Sequence, residues 1–433
     1  MPGAKCLIPL LPSIMPHDSP LRKLHETYVT SLTPPGKEAR AQADRPGAAR
    51  GQMIAPPEVE YLPYGCFAEG SESICQMIAS FGGVEAEYAA MKRGAGLMDS
   101  VHRSVLMVTG ADRRDFLNRM LTQELKDFQA GMVRQAFWLN RKGRIDADLR
   151  LIEFGEFIII DVDVCQIEQT MQSLNEFIII EDVRITNAGD SFHRISMHGP
   201  GALEALAIAT DTHDLELDNL HAISLALDAN GELFVARVDQ TGEIGLELFV
   251  PRDYVERVWT TLLKTNEVGA KKRRVRPIGW YAFNIARIEA GTPLFNIDFG
   301  PTNLPHESGV LSDRVSFTKG CYLGQEIVAR IESLGKPKRM LVGLKMGEDR
   351  LPVEGAAIYE KDGDQTGDQV GVVTSSTLSP MLGMQSIAFG MLQTSMTEMG
   401  STVLVESEGE RVSARVHELR FLPMKSDSYN QKE

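Results

Sequence analysis

The chain has 433 residues, enough for about three domains at roughly 150 residues each. Hydrophobic residues make up 43% and charged residues 24%, which is typical of globular proteins that bury a core and excludes a collagen-like or low-complexity chain. Lys and Arg number 45 against 59 Asp and Glu, so the net charge is −14. This charge argues against sequence-independent binding to nucleic acid or to an anionic membrane, because each phosphate contact requires a cation.

The five cysteines are odd in number and widely scattered, unlike the pattern of a disulfide scaffold. They indicate a reducing compartment, and we expect a cytoplasmic protein. The chain has no CxxC or HExxH motif, and its histidines do not cluster at zinc-ligand spacing, so no metal site is predicted. No segment reaches about 18 uninterrupted apolar residues, so no membrane span is predicted.

Residues 1–57 are rich in Pro, Gly, Ala and charge, and they are predicted to be a disordered N-terminal extension. From residue 61 the apolar pattern predicts helices at 85–96, 111–121 and 165–174 and strands at 105–108, 147–152 and 157–162. Hairpins and helices alternate irregularly here. This order favours an α+β fold over a doubly wound sheet.

The middle of the chain repeats this pattern. Strands are predicted at 195–197, 233–238 and 246–250, and helices at 202–207, 254–263 and 279–290, the last ended by Gly291-Thr292-Pro293. From about residue 341 to 422 the segments are short, β-rich and punctuated by Gly, which predicts a small barrel or sandwich followed by a tail at 423–433.

The densest polar motif is KGCYLGQE at residues 319–326. Two glycines around a thiol suit a turn that opens a helix. There the thiolate of Cys321 can be stabilised by Lys319 and by the free amides of the helix start. Residue types alone favour the simpler interpretation, a small structural cysteine beside a glycine turn.

This octapeptide resembles the signature of the YgfZ family, folate-binding proteins related to the glycine-cleavage T-protein, the aminomethyltransferase GcvT. Further similar segments occur in the same order at residues 94–100, 241–247, 286–291 and 374–383. The resemblance implies a GcvT-like folate-binding fold of two intertwined α+β subdomains within residues 58–340, plus a C-terminal β-barrel domain at 341–422.

The resemblance also implies tetrahydrofolate as the ligand. Glu243 is the candidate acceptor for the amide edge of the pterin, and Glu247 shares its face if the segment is a regular strand. Arg287 is the candidate bidentate partner of the folate carboxylates. Gln325 is placed with these binding residues and, together with Glu326, would hold the 319–326 loop.

A basic run at residues 271–276 stands out in an acidic chain. A solvated loop is the favoured interpretation. The alternative is a site for the polyglutamate tail of folate or for an acidic partner.

The T-protein segment that carries its central aspartate aligns without gaps on residues 140–149, and that aspartate falls on Ala147. Asp146 and Asp148 flank it and share the opposite face of a regular strand, so we expect neither to substitute unless a bulge shifts the register. This departure favours the YgfZ interpretation: a tetrahydrofolate-binding protein supporting iron-sulfur cluster assembly or repair, with Cys321 as functional thiol, Lys319 lowering its pKa, and iron-sulfur proteins or their assembly factors as partners.

Two alternatives stay open. The first is a true aminomethyltransferase that moves a one-carbon unit from an aminomethyl-lipoyl carrier protein to tetrahydrofolate and releases ammonia, with Asp146 or Asp148 in the aspartate's place. Demethylation of another small N- or S-methyl donor is a variant of it. The second is a module without chemistry, in which the folate pocket docks a protein partner.

Overall fold

The computed structural model describes residues 19–32, 58–65, 74–268, 274–363 and 365–423. Its helices are α1 (Arg22–Leu32), α2 (Val84–Arg93), α3 (Arg113–Met120), α4 (Ile167–Asn175), α5 (Ala202–Ala209), α6 (Val255–Val268), α7 (Trp280–Ala290), α8 (Leu311–Arg314) and α9 (Gln325–Leu334). Its strands are β1 (Glu60–Tyr64), β2 (Cys75–Ser80), β3 (Ala95–Asp99), β4 (Arg103–Thr109), β5 (Val133–Leu139), β6 (Ile145–Glu153), β7 (Phe157–Asp163), β8 (Arg184–Asn187), β9 (Phe192–His198), β10 (Ala222–Ala226), β11 (Glu232–Arg237), β12 (Gly245–Pro251), β13 (Val275–Pro277), β14 (Arg339–Met346), β15 (Ala357–Asp362), β16 (Gln365–Ser379), β17 (Gln385–Gln393), β18 (Thr402–Ser407) and β19 (Glu410–His417).

The first large sheet is antiparallel, with the strand order β5-β6-β7-β4-β8. Strand β6, which lies between β5 and β7, alternates strictly at its start: Ile145, Ala147 and Leu149 are buried, whereas Asp146 and Asp148 are half-buried. Alternation with period two places apolar residues on one face and polar residues on the other. Helices α3 and α4 cover the apolar face.

The second sheet has the order β10-β11-β12-β9-β3-β13, antiparallel except for the β13–β3 pair. The chain places β3 in this sheet, forms the whole first sheet, and then returns to it with β9. The two α+β units are therefore intertwined. Apolar residues from both sheets, including Val105, Ile159, Phe234 and Phe249, pack into one shared core.

The C-terminal strands close into a six-stranded barrel in the order β14-β17-β16-β15-β18-β19. A separate core of aliphatic side chains fills it. Another cluster, which includes Phe137, Ile288, Leu341 and Phe389, joins the barrel to the first sheet and to α7. The predicted α+β fold with a C-terminal β-barrel is confirmed.

Helix α7 ends at a glycine that brings three parts of the fold together. Gly291 adopts the left-handed conformation with φ of 77°, and a Cβ there would lie 2.6 Å from the backbone of Arg420. Only glycine fits such a close approach without strain. The loop after α7 is thereby held against the chain that leaves the barrel.

The prediction that residues 1–57 are disordered is wrong for α1. Leu21 and Val29 are fully packed in the core of the second sheet, and Leu24 and Tyr28 pack against it. These four apolar residues recur at helical spacing, a signal that the high polarity of the region obscured. Residues 1–18 and 33–57 lie outside the described residues, as do 271–273 of the basic run and 424–433 of the tail.

Within the described ranges, no helix combines the length and the apolar character needed to cross a membrane.

Candidate functional site

A cavity of about 370 Å³ lies where the two sheets, the loop after α7 and the chain after the barrel meet. Its polar lining comprises Tyr64, Ser100, His102, Arg103, Gln123, Arg134, Gln135, Asp148, Arg150, Asp163, Ser196, His198, Asn219, Asp239, Gln240, Glu247, Thr292, Asp313, Arg314 and Arg420. Its apolar lining comprises Met98, Val133, Leu220, Val238, Phe283, Ala290, Gly291, Pro293, Leu294, Phe295, Ile297 and Val310. A concave site with apolar walls and a few converging charges is the usual form of a small-molecule site.

Asp148 is the sequence-predicted acid that reaches this cavity. It lies on the polar face of β6, and the Nε of Arg314 donates to its Oδ1 at 3.0 Å. The Nη1 of Arg314 donates to Gln135 on the neighbouring strand. A charge-assisted bond from a guanidinium fixes the orientation of a carboxylate. Asp148 is therefore a positioned anion at the cavity wall.

Ala147 faces the other way, and this corrects the expectation drawn from the alignment. Its side chain is 1% exposed and packs in the core of the first sheet with Leu149 and Trp138. The strand has an irregular register at this point, with Trp138 opposite Ala147 but Leu139 opposite Ile145. Because the cavity lies on the face of Asp148, an alanine at 147 leaves an acid in the cavity. The argument against aminomethyl transfer loses its basis.

Asp146 does not line the cavity, so it is not the acid that our alternative needed. Asn140 Nδ2 donates to its Oδ1 at 2.8 Å, and the side chain of Asn140 also accepts from the backbone of Lys142 and Arg144. Burial raises the pKa of Asp146, and the Asn140 hydrogen bond opposes that shift. Asp146 thus stabilises the β5–β6 turn.

Glu247 lines the cavity as predicted for a binding residue, but it is already paired. Arg194 Nη2 lies 2.8 Å from its Oε2 and Arg150 Nη1 lies 3.3 Å from its Oε1. Behind them, Asp161 accepts from Arg103, Arg150 and Arg194 at 3.1 to 3.3 Å. Burial alone would raise the pKa of Asp161, but the three guanidiniums hold it below its usual range.

Sequence reasoning missed this charge cluster and the residues beside it. Tyr64 donates to Asp163, whose pKa is raised by burial. Burial also lowers the pKa of His102 to about 3 and of His198 to about 4, so both imidazoles are neutral near pH 7. The sequence signal for this cluster was the presence of charged residues, such as Arg150 and Asp161, inside strand-like apolar runs. An unpaired ion is costly in such a buried position, so each of these residues needs a partner of opposite charge.

Glu243 lies apart from Glu247, because it belongs to the turn before β12 and not to the strand. It is buried but does not line the cavity. The turn packs against α2 and α7: Lys92 Nζ donates to Thr241 O at 3.3 Å, and Gly242 lies beside Ala290. The shared face was expected only for a regular strand, and that condition is not met because the strand begins at Gly245.

Arg287 is a structural residue, which corrects its predicted role as the carboxylate ligand. It is 0% exposed, and its Nη1 lies 2.6 Å from Asp298 Oδ2. It also donates to Asn284 at 2.9 Å, to the backbone of Thr292 at 3.2 Å and to Ser375 at 2.6 Å. These bonds join α7, the loop after it and the barrel, and they leave no face for a ligand.

Lys319 is also structural, contrary to the prediction that it activates Cys321. Its Nζ donates to the carbonyls of Asn118, Leu121 and Gln123 at 2.5, 2.6 and 2.9 Å, and burial lowers its pKa to about 8. These carbonyls lie at the carboxyl end of α3, which a cation stabilises. All three N–H groups of the ammonium are used, so none remains to bond a thiolate at Cys321.

Cys321 is exposed, and neither it nor Gln325 lines the cavity. The side-chain amide of Gln325 donates to Gly320 O at 3.4 Å, so this residue closes the loop as predicted. Helix α9 begins at Gln325, which matches the predicted turn into a helix. The cavity acid and the loop thiol are thus separate features.

Family profiles and individual relatives agree on which known proteins this chain resembles. Two family profiles match the chain, the GCVT N-terminal domain at residues 66–319 and the glycine cleavage T-protein C-terminal barrel domain at 339–422. An aminomethyltransferase from Caldanaerobacter subterraneus is 27% identical over 80% of this chain and 89% of its own length. One from Herpetosiphon aurantiacus is 30% identical over 80% and 91%.

A solved structure shares the fold. The glycine cleavage system aminomethyltransferase T from Bartonella henselae superposes with a TM-score of 0.76, at 23% identity, over 95% of this chain and 99% of that one.

Proposed function

The chain belongs to the glycine-cleavage T-protein family, and from that premise we propose that it transfers a one-carbon unit to tetrahydrofolate in the central cavity. The observation that carries the proposal is Asp148, a carboxylate held at the cavity wall by Arg314. We prefer this transferase function to the iron-sulfur role, because the relatives that cover most of the chain are named aminomethyltransferase.

The cavity suits a folate on its own chemistry. Its volume lies in the range of ligand pockets, and its walls combine apolar side chains with polar groups. Within the described residues, Gln240 Nε2 and His198 Nδ1 are enclosed and have no hydrogen-bond partner. Buried polar atoms are rarely left unpaired, so a heterocycle that donates and accepts hydrogen bonds would satisfy them.

Tetrahydrofolate supplies the nitrogens that accept the one-carbon unit. The protein supplies a fixed anion, Asp148, in a site partly shielded from water, where its attraction for a cationic nitrogen is stronger than in bulk solvent. Arg314 holds this carboxylate in place before the ligand arrives. The neutral imidazoles of His102 and His198 add polar contacts without adding charge.

The test is formation of methylene-tetrahydrofolate from an aminomethyl-lipoyl carrier protein. We expect turnover by the wild-type protein and a loss of about 100-fold in Asp148→Asn, since removing one preorganised charge-stabilising group costs that order of rate. Asp146→Asn is the matched control. It makes the same change two positions away, outside the cavity, and should keep wild-type turnover.

Absence of turnover with saturating carrier, or full turnover by Asp148→Asn, would contradict the proposal. Calorimetry with tetrahydrofolate tests the remaining alternative, a docking module without chemistry. Such a module would give no binding heat even at millimolar ligand.

A second candidate function is the iron-sulfur role, and exposed Cys321 in the KGCYLGQE loop is the observation that favours it. Under this hypothesis Cys321→Ser folds normally but fails to rescue a strain that lacks its own YgfZ protein. Full rescue by that variant would dismiss the thiol, whereas under the transferase proposal Cys321→Ser keeps its turnover.

A further inference from the structure

Two arginines that line the cavity, Arg103 and Arg150, are both held by the carboxylate of Asp161. We call the part of the cavity wall that they form its floor. Arg103 Nε lies 3.1 Å from Asp161 Oδ1, and Arg150 Nη1 lies 3.2 Å from Asp161 Oδ2. Asp161 is itself 0% exposed. Arg103 is further tied through Nη2 to the Asp161 carbonyl at 3.0 Å. Both guanidiniums are therefore fixed in orientation without a ligand.

Each of these arginines keeps donors that the described residues do not use. Nη1 of Arg103 and the Nε and Nη2 of Arg150 make no hydrogen bond with any described residue. These atoms are also absent from the enclosed polar atoms without partners, so they are open to the cavity that both side chains line. A guanidinium presents its donors as a fork that matches a carboxylate.

The charge balance of the floor points the same way. Three guanidiniums, those of Arg103, Arg150 and Arg194, share the two carboxylates of Asp161 and Glu247. The formal balance of this group is one positive charge.

Two further carboxylates lie beside this group. Asp148 is paired with Arg314, and Asp163 lies near Arg103 but accepts its hydrogen bond from Tyr64, so neither uses the unoccupied guanidinium donors. His102 and His198 are neutral. Guanidinium donors without partners are satisfied when a ligand brings acceptors, and a carboxylate matches their geometry.

We propose that Arg103 and Arg150 form a subsite for the carboxylate of a ligand in the cavity. This inference deepens the proposed function, since it names the chemistry of a group bound in the same site. Two carriers of a carboxylate fit a folate-dependent reaction: a small amino-acid donor and the glutamate part of folate. On the polar face of β6, Asp148 lies two residues from Arg150, about 7 Å away. A small zwitterion could therefore place its cation at Asp148 and its carboxylate at the arginines.

The experiment measures equilibrium binding by calorimetry, without turnover. One arm compares N-methylglycine with N-methylethanolamine, which lacks the carboxylate. The other compares 4-aminobenzoylglutamate with 4-aminobenzamide. We expect at least one carboxylate probe to bind at least tenfold more tightly than its partner, in keeping with a hydrogen bond to a charged group. The arm that responds identifies the carrier.

Variants locate the subsite. Arg150→Met and Arg103→Met should abolish the preference for the carboxylate probe. Arg150→Lys keeps the charge but loses the forked donors, so it should weaken the carboxylate preference about tenfold. This variant tests the subsite even if a Met variant does not fold. Arg119→Met, an exposed arginine on α3, is the control and should bind as wild type.

Equal affinity for both members of each probe pair in the wild-type protein would overturn the proposal, as would variants that retain the full preference. Because no folate turnover is measured, that result would leave the transferase proposal standing. Conversely, if the protein showed no transferase activity, a carboxylate preference that depends on Arg103 and Arg150 would still support the subsite.

Discussion

Arg287 and Asp298 form an ion pair at 2.6 Å in which both side chains are completely enclosed, at the point where α7, its following loop and the barrel meet. Ser375 of the barrel donates to Asp298 and accepts from Arg287, so the pair joins three parts of the fold. An arginine predicted to bind a ligand is instead a structural element.

This pair predicts a large loss of stability in Arg287→Met. Removing one partner leaves a buried carboxylate uncompensated, and we expect the free energy of unfolding to fall by about 3–5 kcal/mol. Urea denaturation measures it. Arg119→Met is the matched control, because Arg119 is exposed in its pair with Glu181 and solvent screens that pair, so the loss of stability should be much smaller. Similar losses in the two variants would contradict the structural role.

The buried histidines predict a loss of stability in acid. The unfolded chain binds a proton at each imidazole near pH 6.5, whereas burial keeps the pKa of His198 at about 4 and that of His102 at about 3. Stability is therefore complete above pH 6.5 and falls as the pH drops toward 4, by about 1.4 kcal/mol per pH unit for each histidine.

Urea denaturation across that range checks the slope. His198→Gln should reduce it by one proton, and His213→Gln, the same substitution at an exposed position, is the control variant. A slope that is the same in wild type and His198→Gln would show that this imidazole titrates normally in the folded protein.

The cysteines are expected to differ sharply in reactivity. Cys321 is exposed, whereas Cys75 is fully buried and burial raises its pKa to about 12. Since the thiolate is the reactive form, native iodoacetamide labelling at Cys75 should be on the order of 100-fold slower than at Cys321. Mass spectrometry of the peptides measures both rates. Equal rates before unfolding would refute the burial of Cys75; after unfolding, the difference should disappear.

Helix α1 is expected to contribute to stability although it precedes the main body of the fold. Val29 is 3% exposed in the core of the second sheet, so Val29→Ala should lower the free energy of unfolding by about 1–3 kcal/mol. The adjacent exposed residue supplies the control, and Thr30→Ala should change stability by less than about 0.5 kcal/mol. Thermal or urea denaturation would show α1 undocked in solution if both variants match the wild type.

Local patterns accounted for much of the fold. The alternation along β6 correctly grouped Asp146 with Asp148 on one face and placed Ala147 on the other. The Gly291-Thr292-Pro293 stop after α7 and the Gly-punctuated strands of the barrel were equally readable. These features depend on residues close in sequence, so periodicity and turn chemistry are enough to predict them.

The partners of charged side chains could not be predicted from local patterns in the same way. Arg287 and Lys319 carry the residue types of ligand-binding groups, yet both are used inside the protein, by Asp298 and by the carbonyls at the end of α3. A cation in a motif looks the same whether its partner is a ligand or a distant backbone group.

The sequence by itself therefore determined the α+β class, the barrel and the division of β6 into an apolar and a polar face. Only the tertiary structure showed which face encloses the cavity, because the cavity walls come from segments far apart in the chain. Asp148 and its partner Arg314 are 166 positions apart, and no local pattern pairs them. The same long-range packing brings Arg103, Arg150 and Arg194 around Asp161, where burial makes their charges interact strongly.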